Sequence, residues 1–247
     1  RALWRCVGAV MTIAENVVCV RERIAQACAR AERDPAEVTL VVVSKSRPPE
    51  AILEAAAAGV TDFGENRVEE AREKLPAIDA PLTWHMVGHI QSRKAREVVK
   101  LFAVVHSVDS VRLASRLSRF AEAPLPILLE VNISGEATKY GWGVSHWQDD
   151  RAQRQALWDD VRAVLALPNL RVLGLMTMAP IVPHMEQTRP VFAGLRSLRD
   201  ALAGDFPAVA WGHLSMGMTD DYPVAVEEGA TLVRIGRAIF EGIAPRD

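Results

Sequence analysis

From residue 38 to residue 235 the chain switches hydrophobic period again and again, from short β-rich runs to helical stretches and back. The strand-like runs are 38–44, 61–63, 83–87, 103–106, 126–132, 172–176, 210–214 and 231–235. Helical stretches follow them near 49–58, 66–75, 91–101, 109–122, 147–166, 186–203, 218–228 and 237–242. A leading helix over 12–33 sets Ile13, Val17, Val20, Ile24 and Ala27 near one face, and Asp34-Pro35 ends it. Alternation of this kind argues for a parallel sheet covered by helices, and eight β-then-α units are the number that closes a (β/α)8 TIM barrel. An open doubly wound sheet is the alternative, but it normally uses fewer units. The runs VTLVVVS and PILLEVNI are apolar on both faces, as central parallel strands are.

A chain of 247 residues suits one such barrel. No linker or low-complexity segment divides it. The expected organisation is an N-terminal extension over 1–10, upstream of Met11 and its amphipathic helix, and a barrel over 11–247. The net charge of −2, with both signs interspersed, gives no electrostatic reason to expect nucleic acid or an anionic membrane as partner. No apolar run approaches the roughly 20 residues of a membrane helix. Cys6, Cys19 and Cys28 are odd in number and include no C-x-x-C pair. They read as reduced thiols in a cytosolic protein rather than a disulfide framework or zinc site.

Reactive residues of such barrels come from the C-terminal ends of the strands. Only five of the 29 basic residues are lysines, so each can be questioned separately. Lys74, Lys94 and Lys100 lie in polar helical stretches and are expected to be solvated. Lys45 directly follows the first strand, where apolar residues beneath it would lower the pKa of its amine and leave a nucleophilic nitrogen. A lysine that snorkels to solvent competes evenly with that reading. Lys139 lies in the long loop after the fifth run, also at the mouth.

Ser215, Met216 and Gly217 follow the seventh run, and Gly236 and Arg237 follow the eighth. Barrels often hold phosphate with these two loops and a short helix. Ordinary turn glycines would account for either loop alone. Arg234 sits inside the apolar run LVRIG, where a guanidinium needs a partner, either a carboxylate or a ligand. A lysine able to form a Schiff base, a phosphate cup and a buried arginine together describe a site for pyridoxal 5′-phosphate. Asn66, after the second run, would either touch the cofactor or cap a helix. His85 and His89 stand four apart without an HExxH motif, so no metal site is expected. His106, His146, His184 and His213 read as packed or surface histidines.

The ordered segments Val43-Ser44-Lys45 with Pro48, Gly64-Glu65-Asn66, Trp84-His85-Met86-Val87-Gly88 and Val131-Asn132-Ile133 carry a resemblance. Lys139-Tyr140-Gly141, Gly174-Leu175-Met176, Leu214-Ser215-Met216-Gly217-Met218 and Val233-Arg234-Ile235-Gly236 extend it. The chain resembles the YggS/PROSC-type pyridoxal phosphate homeostasis proteins from Met11 onward, a family with the barrel of the alanine racemase N-terminal domain. The resemblance implies that Lys45 forms the internal aldimine and that Ser215, Gly236 and Arg237 bind the phosphate. It further implies that Arg234 faces the pyridine nitrogen while Asn66 and Met176 line the pocket. Arg237 stands where the family often has Thr or Ser, Arg67 and Arg93 replace a common Tyr and Asn, and Glu241 replaces a frequent Gly.

An arginine at the pyridine nitrogen disfavours its protonation and weakens the ring as an electron sink. Racemisation also needs an acid/base group on each face of the substrate, and Tyr140 and Tyr222, the only tyrosines, supply no obvious second one. The chain stops soon after the eighth run, so the additional β-domain of alanine racemase-like enzymes is not expected. The family resemblance implies a carrier that buffers pyridoxal phosphate and delivers it, with apo forms of enzymes using that cofactor as recipients. The alternatives are a small racemase or decarboxylase, a regulatory module docking on other enzymes, and a cofactor-free aldolase.

Overall fold

Why the chain closes on itself is visible in its strand pairing. The computed structural model describes residues 11–242, so the expectations for residues 1–10 and 243–247 lie outside the described residues. Its strands are β1 (Thr39–Val43), β2 (Asp62–Glu65), β3 (Thr83–Met86), β4 (Val104–Val108), β5 (Leu125–Asn132), β6 (Trp142–Gly143), β7 (Leu170–Met176), β8 (His213–Ser215) and β9 (Leu232–Ile235). All pair in parallel, in the order β4-β3-β2-β1-β9-β8-β7-β5, and a further β4–β5 pairing closes eight of them into a barrel. The two-residue β6 lies outside that ring, parallel to the end of β5.

The helices are α1 (Ile13–Arg30), α2 (Pro49–Ala57), α3 (Val68–Lys74), α4 (Ala95–Leu101), α5 (Val111–Phe120), α6 (Arg151–Leu165), α7 (Arg189–Asp205), α8 (Tyr222–Glu227) and α9 (Arg237–Phe240). Their starts follow local chemistry. Thr12 and Glu15 form a capping box at α1, Ser110 caps α5 and Asp150 caps α6, each satisfying backbone donors that a helix leaves open. The leading helix α1 packs on α2, α8 and α9, and the Asn16 amide donates to the Ile239 carbonyl at 2.9 Å.

Strand alternation splits the core in two. Val42, Phe63, Met86, Val105, Ile127, Leu129, Leu175, Leu214 and Val233 face outward under the helices. Val41, Leu128, Met176 and Leu232 form a separate apolar cluster, the barrel lumen. Each fully buried side chain of this size contributes on the order of 2 kcal/mol. The inward positions one step further toward the mouth on β5 and β9 carry Glu130 and Arg234, so the lumen turns polar below its opening.

The seventh strand begins later than the sequence indicates. Trp211 is buried with φ +42, its indole donating to the Phe206 carbonyl, and this left-handed residue holds the chain out of the sheet until His213. Lys74 is a second correction: it is 8% exposed rather than solvated, because three oxygens gather around its amine. Cys28 is a free, buried thiol, as expected for a reduced cysteine. Among the described residues no helix is long and apolar enough to cross a membrane, and no cluster could hold a metal ion.

Candidate functional site

At the C-terminal end of β1 the chain turns sharply, and Lys45 occupies that turn with its side chain exposed. It continues the inward parity of Val41. The turn is held from below. The Lys74 amine donates to the Ser44 carbonyl at 2.8 Å, to Glu65 at 2.8 Å and to Glu70 at 2.7 Å. The Ser44 hydroxyl also donates to Glu65, at 2.7 Å, and the Ser46 N–H donates to Glu70. Ser46 has φ +58, a left-handed conformation costly for a residue with a Cβ. Both neighbours of Lys45 are therefore tied to one buried ion cluster. Burial pushes the Glu65 carboxyl above its ordinary range, while its hydrogen bonds from Lys74 and Ser44 oppose the shift.

The lysines now separate. Lys139 is engaged by Glu136, by the Ser134 hydroxyl at 3.3 Å and by the Met178 carbonyl at 3.0 Å. Lys94 pairs with Glu69 and Glu97. Lys45 has no hydrogen bond or ion pair among the described residues, and at the mouth it offers the unengaged amine.

Arg234 rises inside the lumen from β9 and is 5% exposed. It donates to the Ser215 hydroxyl oxygen at 2.5 Å and to the Thr177 carbonyl at 3.0 Å. It forms no ion pair with a carboxylate among the described residues, and burial lowers its pKa to about 10 against the pull of Glu130 and Asp221. The Ser215 oxygen also meets His106 Nδ1 at 2.8 Å, His106 Nε2 meets His85 Nδ1 at 2.9 Å, and His85 Nε2 meets Asp62 at 3.0 Å. A buried polar line thus crosses the barrel from Arg234 to the first residue of β2. Desolvation first, with the nearby Arg234 guanidinium adding to it, holds His106 well below the ordinary histidine range.

Glu130 shares this space. Its carboxyl is pushed up to about 7 by burial first and by Asp109 second, with Arg234 opposing, and its Oε2 has no hydrogen-bond partner. The neighbouring Met176, paired with Glu130 in register, is buried in the lumen wall.

Around the mouth, Gly217 adopts φ +91, and a Cβ there would lie 2.6 Å from Ala225 Cβ, so the loop after β8 needs a glycine. Gly236 starts α9, and a Cβ there would stand 3.0 Å from the Val43 carbonyl. The Arg237 guanidinium pairs with Asp220, and Arg47 pairs with Glu241. These two pairs give the unusual residues at 237 and 241 a role in strapping rim loops together. Asn66 is half-buried after β2. The cap position of α3 belongs to Arg67, so Asn66 is not a helix cap. His89 stacks on Tyr140 at 3.8 Å and pairs with Asp109 at 3.2 Å, joining the loops after β3, β4 and β5.

Sequence reasoning placed Lys45, Asn66, Met176, Ser215, Arg234, Gly236 and Arg237 at one end of the barrel or in its lumen, and the structure puts them there. It missed the Lys74–Glu65 cluster, the paired histidines and Glu130. The inward parity of His85, His106 and Glu130 in their strands was the available signal.

Fold and site define a single (β/α)8 barrel of the alanine racemase type, with a free lysine amine at the mouth and an arginine in the lumen. The alanine racemase N-terminal domain family matches residues 16–244. The chain is 44% identical over 233 residues to the pyridoxal phosphate homeostasis protein of Pseudomonas aeruginosa, covering 93% of this chain and 95% of that one. The Aquifex aeolicus pyridoxal phosphate homeostasis protein is 40% identical, covering 93% and 98%. PipY of Synechococcus elongatus, solved with pyridoxal phosphate bound, superposes with a TM-score of 0.78 at 36% identity, covering 93% of this chain and all of that one. Alanine racemase from Corynebacterium glutamicum, at 16% identity and a TM-score of 0.65, shares the fold over 92% of this chain and 60% of its own. The chain belongs to the pyridoxal phosphate homeostasis protein family.

Proposed function

We propose that this protein binds pyridoxal 5′-phosphate at the barrel mouth through Lys45 and acts in its homeostasis, taking up the cofactor and handing it on. The observation that carries the reading is the Lys45 amine at the mouth, with no hydrogen bond or ion pair among the described residues, together with a buried Arg234 in the lumen whose hydrogen bonds go to the Ser215 hydroxyl and the Thr177 carbonyl. A buried cation whose hydrogen bonds go only to neutral groups is costly, and an anionic ligand with an acceptor nitrogen relieves that cost. Bound pyridoxal phosphate supplies an aldehyde that condenses with amines and a ring able to accept electron density.

The chain's own groups do the holding. Lys45 anchors the aldehyde end, and the Lys74 cluster fixes the turn that presents it. Arg234 donates toward the ring nitrogen; with a pKa near 10 it keeps its proton at neutral pH, so the ring nitrogen stays an acceptor and electron withdrawal stays weak. The loops at Ser215–Gly217 and Gly236–Arg237 bring backbone close to the phosphate, with Asn66 and Met176 along the ring. Such a site favours storage over turnover. We extend the reading to a monomeric cytoplasmic protein whose recipients are apo forms of enzymes using the same cofactor.

Glu130 favours a second reading, a small amino-acid racemase or decarboxylase, because a lumen carboxyl held near 7 can give or take a proton at neutral pH. The deciding experiment is borohydride reduction of the cofactor-loaded protein followed by peptide mass mapping. Label on Lys45, with transfer to an apo-enzyme and no amino-acid turnover, fits the carrier. Label elsewhere or none refutes the site, and turnover lost in Glu130→Gln moves the reading to an enzyme.

A further inference from the structure

Asp62 begins β2, and the Asp62–His85–His106–Ser215–Arg234 line joins it to the guanidinium through four successive hydrogen bonds. The direction of each bond follows from what each group can do. An ionised Asp62 only accepts, so His85 Nε2 carries a hydrogen. A neutral His85 then accepts at Nδ1, which assigns the hydrogen of His106 to Nε2. A neutral His106 in turn accepts at Nδ1, and the acceptor there takes the single hydroxyl hydrogen of Ser215. The Ser215 oxygen is left with lone pairs only, facing Arg234, which can only donate.

We propose that Asp62, His85 and His106 are positioning residues for Arg234: by fixing both rings as Nε2–H tautomers they turn the Ser215 oxygen into an obligate acceptor and pin the guanidinium beneath the cofactor's ring nitrogen. This rests on the proposed cofactor site for its meaning, though not for its geometry. Two contacts then fix the guanidinium plane, Ser215 at one terminal nitrogen and the Thr177 carbonyl at the other. If the rings held the opposite tautomers, His106 would donate to Ser215, and the serine hydrogen would compete with Arg234 for space. The same assignment commits the Ser215 hydroxyl hydrogen inside the lumen; because the Met216 N–H donates to the Leu232 carbonyl and the Met218 N–H to Asp221, phosphate binding by this loop falls to the Gly217 N–H.

The test is nitrogen-15 NMR of histidine-labelled protein without cofactor, at neutral pH. Nε2–H signals at both His85 and His106 are expected; an Nδ1–H form or an imidazolium as the main species at either ring overturns the proposal. In Asp62→Asn, an amide can donate to His85, and an Nδ1–H population should appear at His106, two links away. Titration with pyridoxal phosphate should show about tenfold weaker binding, the worth of one charge-assisted hydrogen bond, together with a shifted absorption band of the bound chromophore. Unchanged His106 signals with affinity within twofold overturn the proposal. Because the ring tautomers are read without cofactor, they decide the proposal even if wild-type protein proved unable to bind pyridoxal phosphate, an outcome that would refute the proposed function instead.

Discussion

The amine of Lys74 and the carboxylate of Glu65 lie 2.8 Å apart, buried together beneath the turn that presents Lys45. A buried pair of this kind need not add net stability, but removing one partner leaves the other as an unpaired buried charge. Lys74→Ala is therefore expected to lose about 3–5 kcal/mol of unfolding free energy. Lys74→Met with Glu65→Leu, which removes both charges and keeps volume, should lose less than the single change. Urea unfolding of the three proteins measures this. Equal losses for the single and double variants would show that the ion pair is not what the alanine disturbs.

Gly174 predicts a steric failure. It sits with φ +157 where the β5–β7 register shifts, and a Cβ there would lie 1.8 Å from the His213 carbonyl oxygen. No rotamer change relieves a clash with backbone. Gly174→Ala should cost several kcal/mol, in the range of severe core overpacking, and should displace β8 and with it Ser215. Thermal unfolding and the yield of folded protein report it; wild-type behaviour would mean that the strands slide apart more cheaply than their pairing suggests.

Arg234 offers a prediction through linkage. At a pyridoxal phosphate concentration one hundred times the wild-type Kd, binding adds about 2.7 kcal/mol to stability. A variant that binds tenfold more weakly gains about 1.4 kcal/mol at the same concentration. Arg234→Met should show that smaller gain or less, because it removes the donor toward the ring nitrogen. The measurement is unfolding with and without cofactor, and an undiminished gain would remove Arg234 from the binding site.

The alternation of periods was enough to read the barrel, because a helix crossover between parallel strands leaves its mark on every segment. Lys45 and Arg234 were legible for a similar reason: each is a cation where the local pattern calls for apolar or turn residues. Lys74 was not, since VEEAREK reads as a solvated helix and nothing local reveals that Glu65 reaches under it. The histidine line was half legible. Parity sends His85 and His106 inward, but which inward residues meet depends on the stagger between strands, and no single segment encodes that. Likewise Trp211 looks like a strand residue until its left-handed backbone is seen.

Glu130 gives the molecule a pH dependence with a definite sign. Its folded-state pKa is raised from 4.5 to about 7, so between those values the folded protein holds a proton that the unfolded chain releases. The contribution is most favourable below pH 4.5, weakens as pH rises through the interval and levels off above 7. Its span is roughly 3 kcal/mol, from about 1.4 kcal/mol per pKa unit. Glu130→Gln keeps the shape and cannot ionise, so it should match wild type near pH 4.5, exceed it increasingly up to about pH 7 and hold a nearly constant advantage above that. Denaturation curves collected across that range check the expectation. Parallel pH profiles for the two proteins would mean that the carboxyl ionises inside the lumen without penalty, which would in turn require a donor to Oε2 that this arrangement of side chains lacks.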